Sequence, residues 1–405
     1  MRDDKMGEEM EDDSLRIGVF SWESLNSIRI GGLAAAVTNL TEALAENGNE
    51  VHLFTRIDDD QSKYDQINGV HVHRCSFPLT EDILELAHEM CECMVERFYH
   101  VEDQFGEFDL VHGHDWVTVD AMHELKNEGY PTVLTYHSTE YGRNGGVFGD
   151  WWEFDEISGK EWYGGYVSDR VTAVSSALKS ELSWLYDIPD YKLDVIPNGG
   201  EIGKHNRELD PGEVKERYGI NPLAPVVLFI GRMEYQKGPD ILIRAIPHVL
   251  GNRDDVNFIF IGKGGMRGNL ENLADYLNIQ DSVHFLGYVS DDELKDVLNA
   301  SDIVCIPSRN EPFGLVLYEA WDAEKAVVGT NVGGLDENID NFDNGIKVYP
   351  YPESVAWGVN YVIDDPEGVR ELGRNGKEKL KDSTWKVVAE RYKRDVYTDL
   401  LSELE

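Results

Sequence analysis

The residues of this chain best suited to chemistry are two carboxylates and two cations. Glu311 and Glu319 lie in the run Ile303-Val-Cys-Ile-Pro-Ser-Arg-Asn-Glu311-Pro-Phe-Gly314-Leu315-Val-Leu-Tyr-Glu319, and Arg232 and Lys237 lie in Gly231-Arg232-Met-Glu-Tyr-Gln-Lys237-Gly238. A carboxylate accepts hydrogen bonds from neighbouring hydroxyls, and two cations beside a helix start neutralise a diphosphate. Gly314 allows close backbone approach, and the N–H groups near Gly314 and Leu315 are unpaired helix-start donors suited to phosphate or sugar oxygens. An anion beside vicinal hydroxyls is what a nucleotide-sugar presents. Taken alone, Glu311 reads equally well as a loop charge and Glu319 as a solvated helix position, because short motifs match by chance.

The elements that position these residues follow a repeated scheme. Ile303–Ile306 is an apolar run of buried-strand length that Pro307 ends, and an apolar-rich helix follows from Leu315. Val226–Ile230 is a strand that delivers Arg232, and Pro239 starts a helix just past Lys237. Further strands are expected at 15–20, 51–55, 132–136, 170–174, 193–196, 256–261, 283–286 and 326–329, and around His71 and His73. After the first strand, a loop ending in Arg29-Ile-Gly31-Gly32 precedes a helix over 33–46, a weak phosphate-cradle signal that is neither GxGxxG nor a P-loop. Leu110-Val-His112-Gly-His114-Asp-Trp ends a strand, and open parallel sheets gather ligands at strand ends, which favours a cleft role for His114 over a helix-capping one. His137-Ser-Thr-Glu140-Tyr-Gly-Arg143-Asn-Gly-Gly also follows a strand, and is either an acceptor loop through His137 and Glu140 or a plain surface loop. Ser290 and Glu293 form a capping box.

Other features read more plainly. His71 and His73 alternate on a strand and are expected to be a solvated pair, since a metal would need more ligands nearby. Helix is expected over 80–99. Trp151, Trp152, Trp162, Tyr163 and Tyr166 are a possible sugar-stacking platform, with core packing preferred. Pro197-Asn-Gly-Gly200 reads as a hinge, and the polar, Pro-bearing stretch 201–224 as the domain boundary. The expected organisation is an acidic, disordered lead-in over 1–13, a first Rossmann-like domain over 14–200 with the last helix (385–405) packing back onto it, and a second over 201–384.

The 405 residues, 41% of them hydrophobic, suffice for a packed core in two or three domains. A net charge of −40, from 37 basic and 77 acidic residues, disfavours nucleic acid and anionic membranes as partners. The acidity is spread along the chain, which suits a salt-rich cytoplasm. No apolar run approaches membrane-spanning length, and the four cysteines suit reduced thiols; a cytoplasmic protein is expected.

Together, Gly31-Gly32-Leu33, His114-Asp-Trp, Pro197-Asn-Gly, Gly231-Arg232 through Lys237-Gly238, Glu311 through Glu319 and Gly333-Gly334-Leu335 resemble, in order and over nearly the whole chain, the retaining GT-B glycosyltransferases. The nearest groups are family 4 and the glycogen and starch synthases. The resemblance implies an α/β fold of two doubly wound Rossmann-like domains facing a cleft. It implies that Arg232 and Lys237 neutralise the donor diphosphate, Glu311 holds the transferred hexose, Glu319 binds the ribose, and His114 lies against the sugar. Gly31, Gly32, Gly314 and Leu315 would approach the donor, with no metal or other cofactor needed. Two departures matter. Glycogen synthases usually have Lys-x-Gly-Gly-Leu where this chain has Arg29, and the retained Glu319 leans toward family 4. The stretches 229–238 and 137–146 resemble archaeal glycogen-synthase-like proteins, so ADP- or UDP-glucose and a glucan acceptor are expected. The alternatives are a mannosyl- or glucosyltransferase for a glycan, compatible solute or sucrose phosphate, a UDP-sugar 2-epimerase, and a non-catalytic sugar-nucleotide binder. A dinucleotide oxidoreductase ranks low, for want of GxGxxG.

Overall fold

The chain alternates strand and helix, and the strands sort into two separate sheets. A computed structural model describes residues 14–404; the expected acidic lead-in over 1–13 lies outside the described residues. The first sheet contains β1 (Arg16–Phe20), β2 (Glu50–Arg56), β3 (Tyr64–Ile67), β4 (Val70–Cys75), β5 (Leu110–His114), β6 (Thr132–Tyr136), β7 (Arg170–Ala173) and β8 (Leu193–Val195). Its order is β3-β4-β2-β1-β5-β6-β7-β8, all parallel except the edge strand β3. The second contains β9 (Val226–Ile230), β10 (Asn257–Ile261), β11 (Val283–Gly287), β12 (Ile303–Ile306), β13 (Ala326–Thr330) and β14 (Ile346–Val348), in the order β11-β10-β9-β12-β13-β14 and wholly parallel. The described strands thus build two Rossmann-like lobes.

Strand order explains where a ligand can sit. The first sheet grows from β1 toward β2 and then reverses to β5; the second grows from β9 toward β10 and then reverses to β12. At each reversal two successive loops diverge and leave a crevice at the strand carboxyl ends. The loops flanking the first crevice carry Gly31, Gly32 and His114, and those flanking the second carry Arg232, Lys237 and Glu311. The buried strands are near-continuous apolar runs, as sheets covered on both faces require.

Two segments join the lobes. Gly200 N donates to Ser383 O at 2.8 Å, and Gly200 pairs with Thr384 in an isolated parallel bridge. Gly199 has no room for a side chain, since a Cβ there would lie 2.5 Å from Trp385 N. The chain then returns to the first lobe through the helix Trp385–Arg391, a π-turn over Tyr392–Tyr397 and the helix Thr398–Leu404. Tyr397 Oη meets His112 Nδ1 at 2.8 Å, and Tyr392 Oη lies 3.0 Å from Thr135 Oγ1 and 3.1 Å from Thr172 Oγ1. The stretch 201–224, read from sequence as linker, includes the helix Pro211–Arg217, tied to the second lobe by Arg217–Asp296 and Lys215–Asp302.

Three expectations are corrected. His71 and His73 are not a solvated pair. His73 is fully buried and stacks with His52 of the neighbouring strand, its Nε2 3.1 Å from His52 Nδ1. The aromatic group on the helix Trp152–Val167 and just before it is not core. Trp151, Trp152, Trp162 and Tyr166 all face solvent, because the helix buries a different face (Phe154, Ile157, Glu161, Gly164 and Gly165), while Tyr163 packs partly against the core. The helix expected over 80–99 is Ile83–Phe105, capped by Asp82, whose side chain accepts from Leu84 N and Glu85 N.

Candidate functional site

Each half of the site begins at a helix whose start lacks a side-chain cap. The helix Gly32–Glu46 follows Gly31, and the helix Leu315–Asp322 follows Gly314. Uncapped first-turn N–H groups are donors waiting for an acceptor, and the helix dipole makes that acceptor an anion. The two starts face each other: a Cβ on Gly32 would lie 3.3 Å from Leu315 Cδ1. Gly314 has φ 94°, a left-handed conformation costly for other residues, and a Cβ there would also strike Leu335 at 2.8 Å.

In the second lobe Lys237 and Glu311 come together. Lys237 Nζ donates to Glu311 Oε1 at 2.9 Å and to Oε2 at 2.8 Å, and Ser308 Oγ donates to Oε2 at 2.9 Å. Glu311 is only 6% exposed, so without Lys237 its charge would be poorly compensated. The pairing sets a cation and a carboxylate side by side next to Gly314. Arg232 lies close by in sequence, with one guanidinium nitrogen donating to Gln236 Oε1 at 3.1 Å.

Glu319 follows Leu315 by just over one turn. With Leu315, Arg29, His205, Asp291 and Leu294 it lines a cleft between the lobes of about 320 Å³. Burial pushes the Glu319 carboxyl above its ordinary value, opposed by His205 and Lys204. Among the described residues no hydrogen bond engages it. A partly exposed carboxylate on the cleft wall with no protein donor is set up to receive hydroxyl hydrogens from a ligand.

In the first lobe His114 is fully buried at the end of β5. Its Nδ1 lies 3.0 Å from His137 Nε2, and its Nε2 has no partner among the described residues. Burial, with His112 and His137 adding to it, pushes the His114 pKa well below the ordinary histidine value, so the ring is neutral. Asp115, at φ 59°, turns the chain and fixes the second histidine by accepting His137 N at 2.7 Å. Glu140 is committed elsewhere: its carboxylate accepts Arg143 Nε at 2.9 Å. Arg143 also binds Glu161, which is fully buried and also accepts from Tyr186 Oη and Glu140 N; burial pushes Glu161 up to about 7. Gly31 is likewise occupied. Its N–H donates to Glu23 Oε2 at 2.9 Å, as does Ile30 N at 2.5 Å, so Glu23 shapes the loop and leaves the N–H groups after Gly31 to face a ligand.

Sequence reasoning missed Glu23, Glu161, His205 and Asp322. Asp322 Oδ2 accepts His205 N at 2.6 Å and Oδ1 accepts Gly203 N at 2.6 Å, folding the hinge exit into the cleft wall. The lobes also touch directly. Arg29 pairs with Asp291 at 3.2 Å, Asn310 Nδ2 donates to Glu181 Oε2 at 3.3 Å, and Ser176 N and Ala177 N donate to Glu337. The Arg29–Asp291 pair is exposed and hence weak.

Known proteins bear on this geometry. Residues 30–202 match the family described as Glycosyltransferase Family 4, and residues 212–379 match Glycosyl transferases group 1. An uncharacterised glycosyltransferase of Methanocaldococcus jannaschii is 37% identical over 370 residues, 90% of this chain and 93% of that one. Glycogen synthase of Mycobacterium tuberculosis is 28% identical over 401 residues, 93% of this chain and 92% of that one. Among solved structures, sucrose-phosphate synthase from Thermosynechococcus elongatus superposes with a TM-score of 0.81 at 23% identity, covering 96% of this chain and 100% of that one.

Proposed function

The chain belongs to the family 4 glycosyltransferases of GT-B fold, and on that premise we propose that it moves glucose from ADP- or UDP-glucose to an uncharged glucan, keeping the anomeric configuration. The observation that carries this reading is the Lys237–Glu311 pair standing behind the open helix start at Leu315. In the proposed complex the donor pyrophosphate takes the free N–H groups of the Leu315 and Gly32 helix starts, and Lys237 turns from Glu311 to the phosphates with Arg232. Glu311, released, accepts hydroxyls of the hexose. Glu319 accepts those of the ribose. His114, neutral and with a free Nε2, lies against the sugar from the opposite lobe. Cations already in place take up the charge that develops on the departing diphosphate without solvent having to reorganise. The acceptor hydroxyl enters on the face the nucleotide leaves.

The acceptor class is supported by charge. Arg143, the cation of the 137–146 loop, is compensated by Glu140 and Glu161, and Glu181 is close by, its own pKa raised by burial. With no surplus cation there, a phosphorylated acceptor would be repelled, whereas neutral hydroxyls can hydrogen-bond to the carboxylates. The test is a donor panel of ADP-, UDP- and GDP-sugars with glycogen, inositol phosphate and hexose phosphate as acceptors, with product linkage and anomeric configuration read by NMR. An α-linked glucan made from an ADP- or UDP-glucose donor is expected. Transfer to a phosphorylated acceptor in preference to glycogen, or an inverted product, would remove the reading.

A further inference from the structure

One exposed aromatic cluster of the first lobe has no role in the donor site. Phe148 and Trp184 are each 61% exposed. They lie 5.9 Å apart by ring centroid and share Tyr141 as a common neighbour, at 4.9 and 5.4 Å. On the surface of a chain of net charge −40, clustered exposed aromatic rings mark a contact site. The cluster continues into the acceptor side of the cleft. Tyr141 follows Glu140 directly. Trp184 stands one helical turn from Glu181, which reaches Asn310 of the other lobe. Gly145 lies against the ring of Tyr235 from that lobe, itself backed by the Arg309 guanidinium at 3.8 Å. Aromatic rings of both lobes, Tyr141 and Tyr235, thus flank the 145–146 turn, beside the Glu181–Asn310 contact between the lobes.

The charge around the cluster selects its occupant. Residues 144–162 hold the carboxylates Asp150, Glu153, Asp155 and Glu156 besides the buried Glu161, and a single cation, Lys160, which is paired with Asp120. Nucleic acid, phosphopeptides and anionic lipid surfaces are repelled from such a face. A neutral polymer of pyranose rings is not: its C–H faces stack on exposed aromatic rings, and its hydroxyls hydrogen-bond to surrounding carboxylates.

We propose that Tyr141, Phe148 and Trp184 form a binding strip for the distal residues of an extended glucan chain whose end enters the cleft. The inference rests on the glucan reading of the acceptor and adds a site outside the reaction centre. Both Phe148 and Trp184 are exposed enough to be truncated without disturbing the core. The experiment compares the wild-type chain with Phe148→Ala, Trp184→Ala and the double variant. Initial rates are measured on glycogen, a long malto-oligosaccharide and maltose, and migration is followed in native gels cast with and without glycogen. The double variant is expected to raise KM for the two long acceptors about tenfold, equivalent to ~1.4 kcal/mol, with kcat and the maltose KM unmoved and the glycogen-dependent gel retardation lost. Unchanged long-acceptor KM and retardation would overturn the strip, as would wild-type binding to phosphatidylglycerol vesicles that the substitutions abolish. Wild-type retardation by glycogen without transfer to it, lost in the variants, keeps the strip and removes the glucan transfer reading. A wild-type chain neither retarded by glycogen nor transferring to it removes both.

Discussion

Glu319 offers a test of the donor site that separates binding from chemistry. It lies four residues beyond Leu315, so along the helix axis its Cα stands about 6 Å from the residue whose N–H faces the phosphates. In the proposed donor complex, with the phosphates at that helix start, this offset would put the carboxylate beside the sugar joined to them. A charge-assisted hydrogen bond contributes about 1.5–3 kcal/mol and a neutral one about 1 kcal/mol. Glu319→Gln keeps volume and one acceptor oxygen but removes the charge, so donor KM should rise roughly 2- to 30-fold, and Glu319→Ala should raise it roughly 10- to 150-fold. Because the contact is the same in ground and transition states, kcat should change little. A second signature comes from pH. The ligand favours the ionised carboxylate, and burial raises the pKa of the free group. Donor affinity should therefore fall as pH drops through that raised value, earlier than for an ordinary glutamate, and the Gln variant should lack this fall. The assay is initial-rate kinetics with the natural donor and its 3′-deoxyribose analogue. Deoxygenation should cost the wild type severalfold and cost Glu319→Ala almost nothing. Equal losses in both would refute the placement of Glu319 on the ribose.

Three further outcomes follow from the structure. Lys237→Met should lower kcat by about a hundredfold to a thousandfold, the scale of one lost transition-state charge contact, and should lower the melting temperature, since Glu311 keeps only Ser308 as a side-chain donor; stopped rates and thermal melts check it, and a fully active variant contradicts it. His52 and His73 are buried neutral, pushed down to about 4 and about 3 by desolvation, amid Glu50, Arg16, His71, Tyr64 and Arg97. Their folded pKa values lie below the unfolded value near 6.5, so the unfolded state binds more protons and stability is lost as pH falls from about 6.5 toward 4, by ~2 kcal/mol per histidine at about pH 5. Urea unfolding of the wild type and His73→Asn measures this, and equal pH slopes would refute it. The net charge of −40 should make the melting temperature rise between about 0.1 and about 2 M KCl as repulsion is screened, and a flat response would argue against adaptation to salt.

The strand-end loops were legible in the sequence because each is a short apolar run, then Gly or Pro, then a new apolar period. That local punctuation located Arg232, Lys237, Glu311 and His114. The Lys237–Glu311 contact spans 74 positions and became visible only once the β9–β12 pairing was known. Burial of His73 depends on the parallel register that sets β2 against β4, Phe54 opposite His73, which no local pattern carries. Glu161 sits in a run of polar residues, and its neutralisation by Arg143 requires two segments to meet in the interior. The tryptophans misled because aromatic bulk usually goes inside. The useful signal was the spacing of Phe154, Ile157, Glu161 and Gly164 on the helix Trp152–Val167, which sets its buried face and leaves Trp152, Trp162 and Tyr166 on the other side. Glu23 looked like any loop carboxylate, yet its acceptance of two successive N–H groups defines the approach to Gly31.

The central claim is that cations of the second lobe grip the donor by its pyrophosphate. Titration calorimetry of ADP and UDP against the wild type and the Arg232→Ala/Lys237→Ala double variant tests it most directly. The account predicts at least roughly a hundredfold loss of affinity, two charge-assisted contacts' worth, in a variant whose circular dichroism is unchanged. Undiminished nucleotide affinity in that folded variant would contradict it.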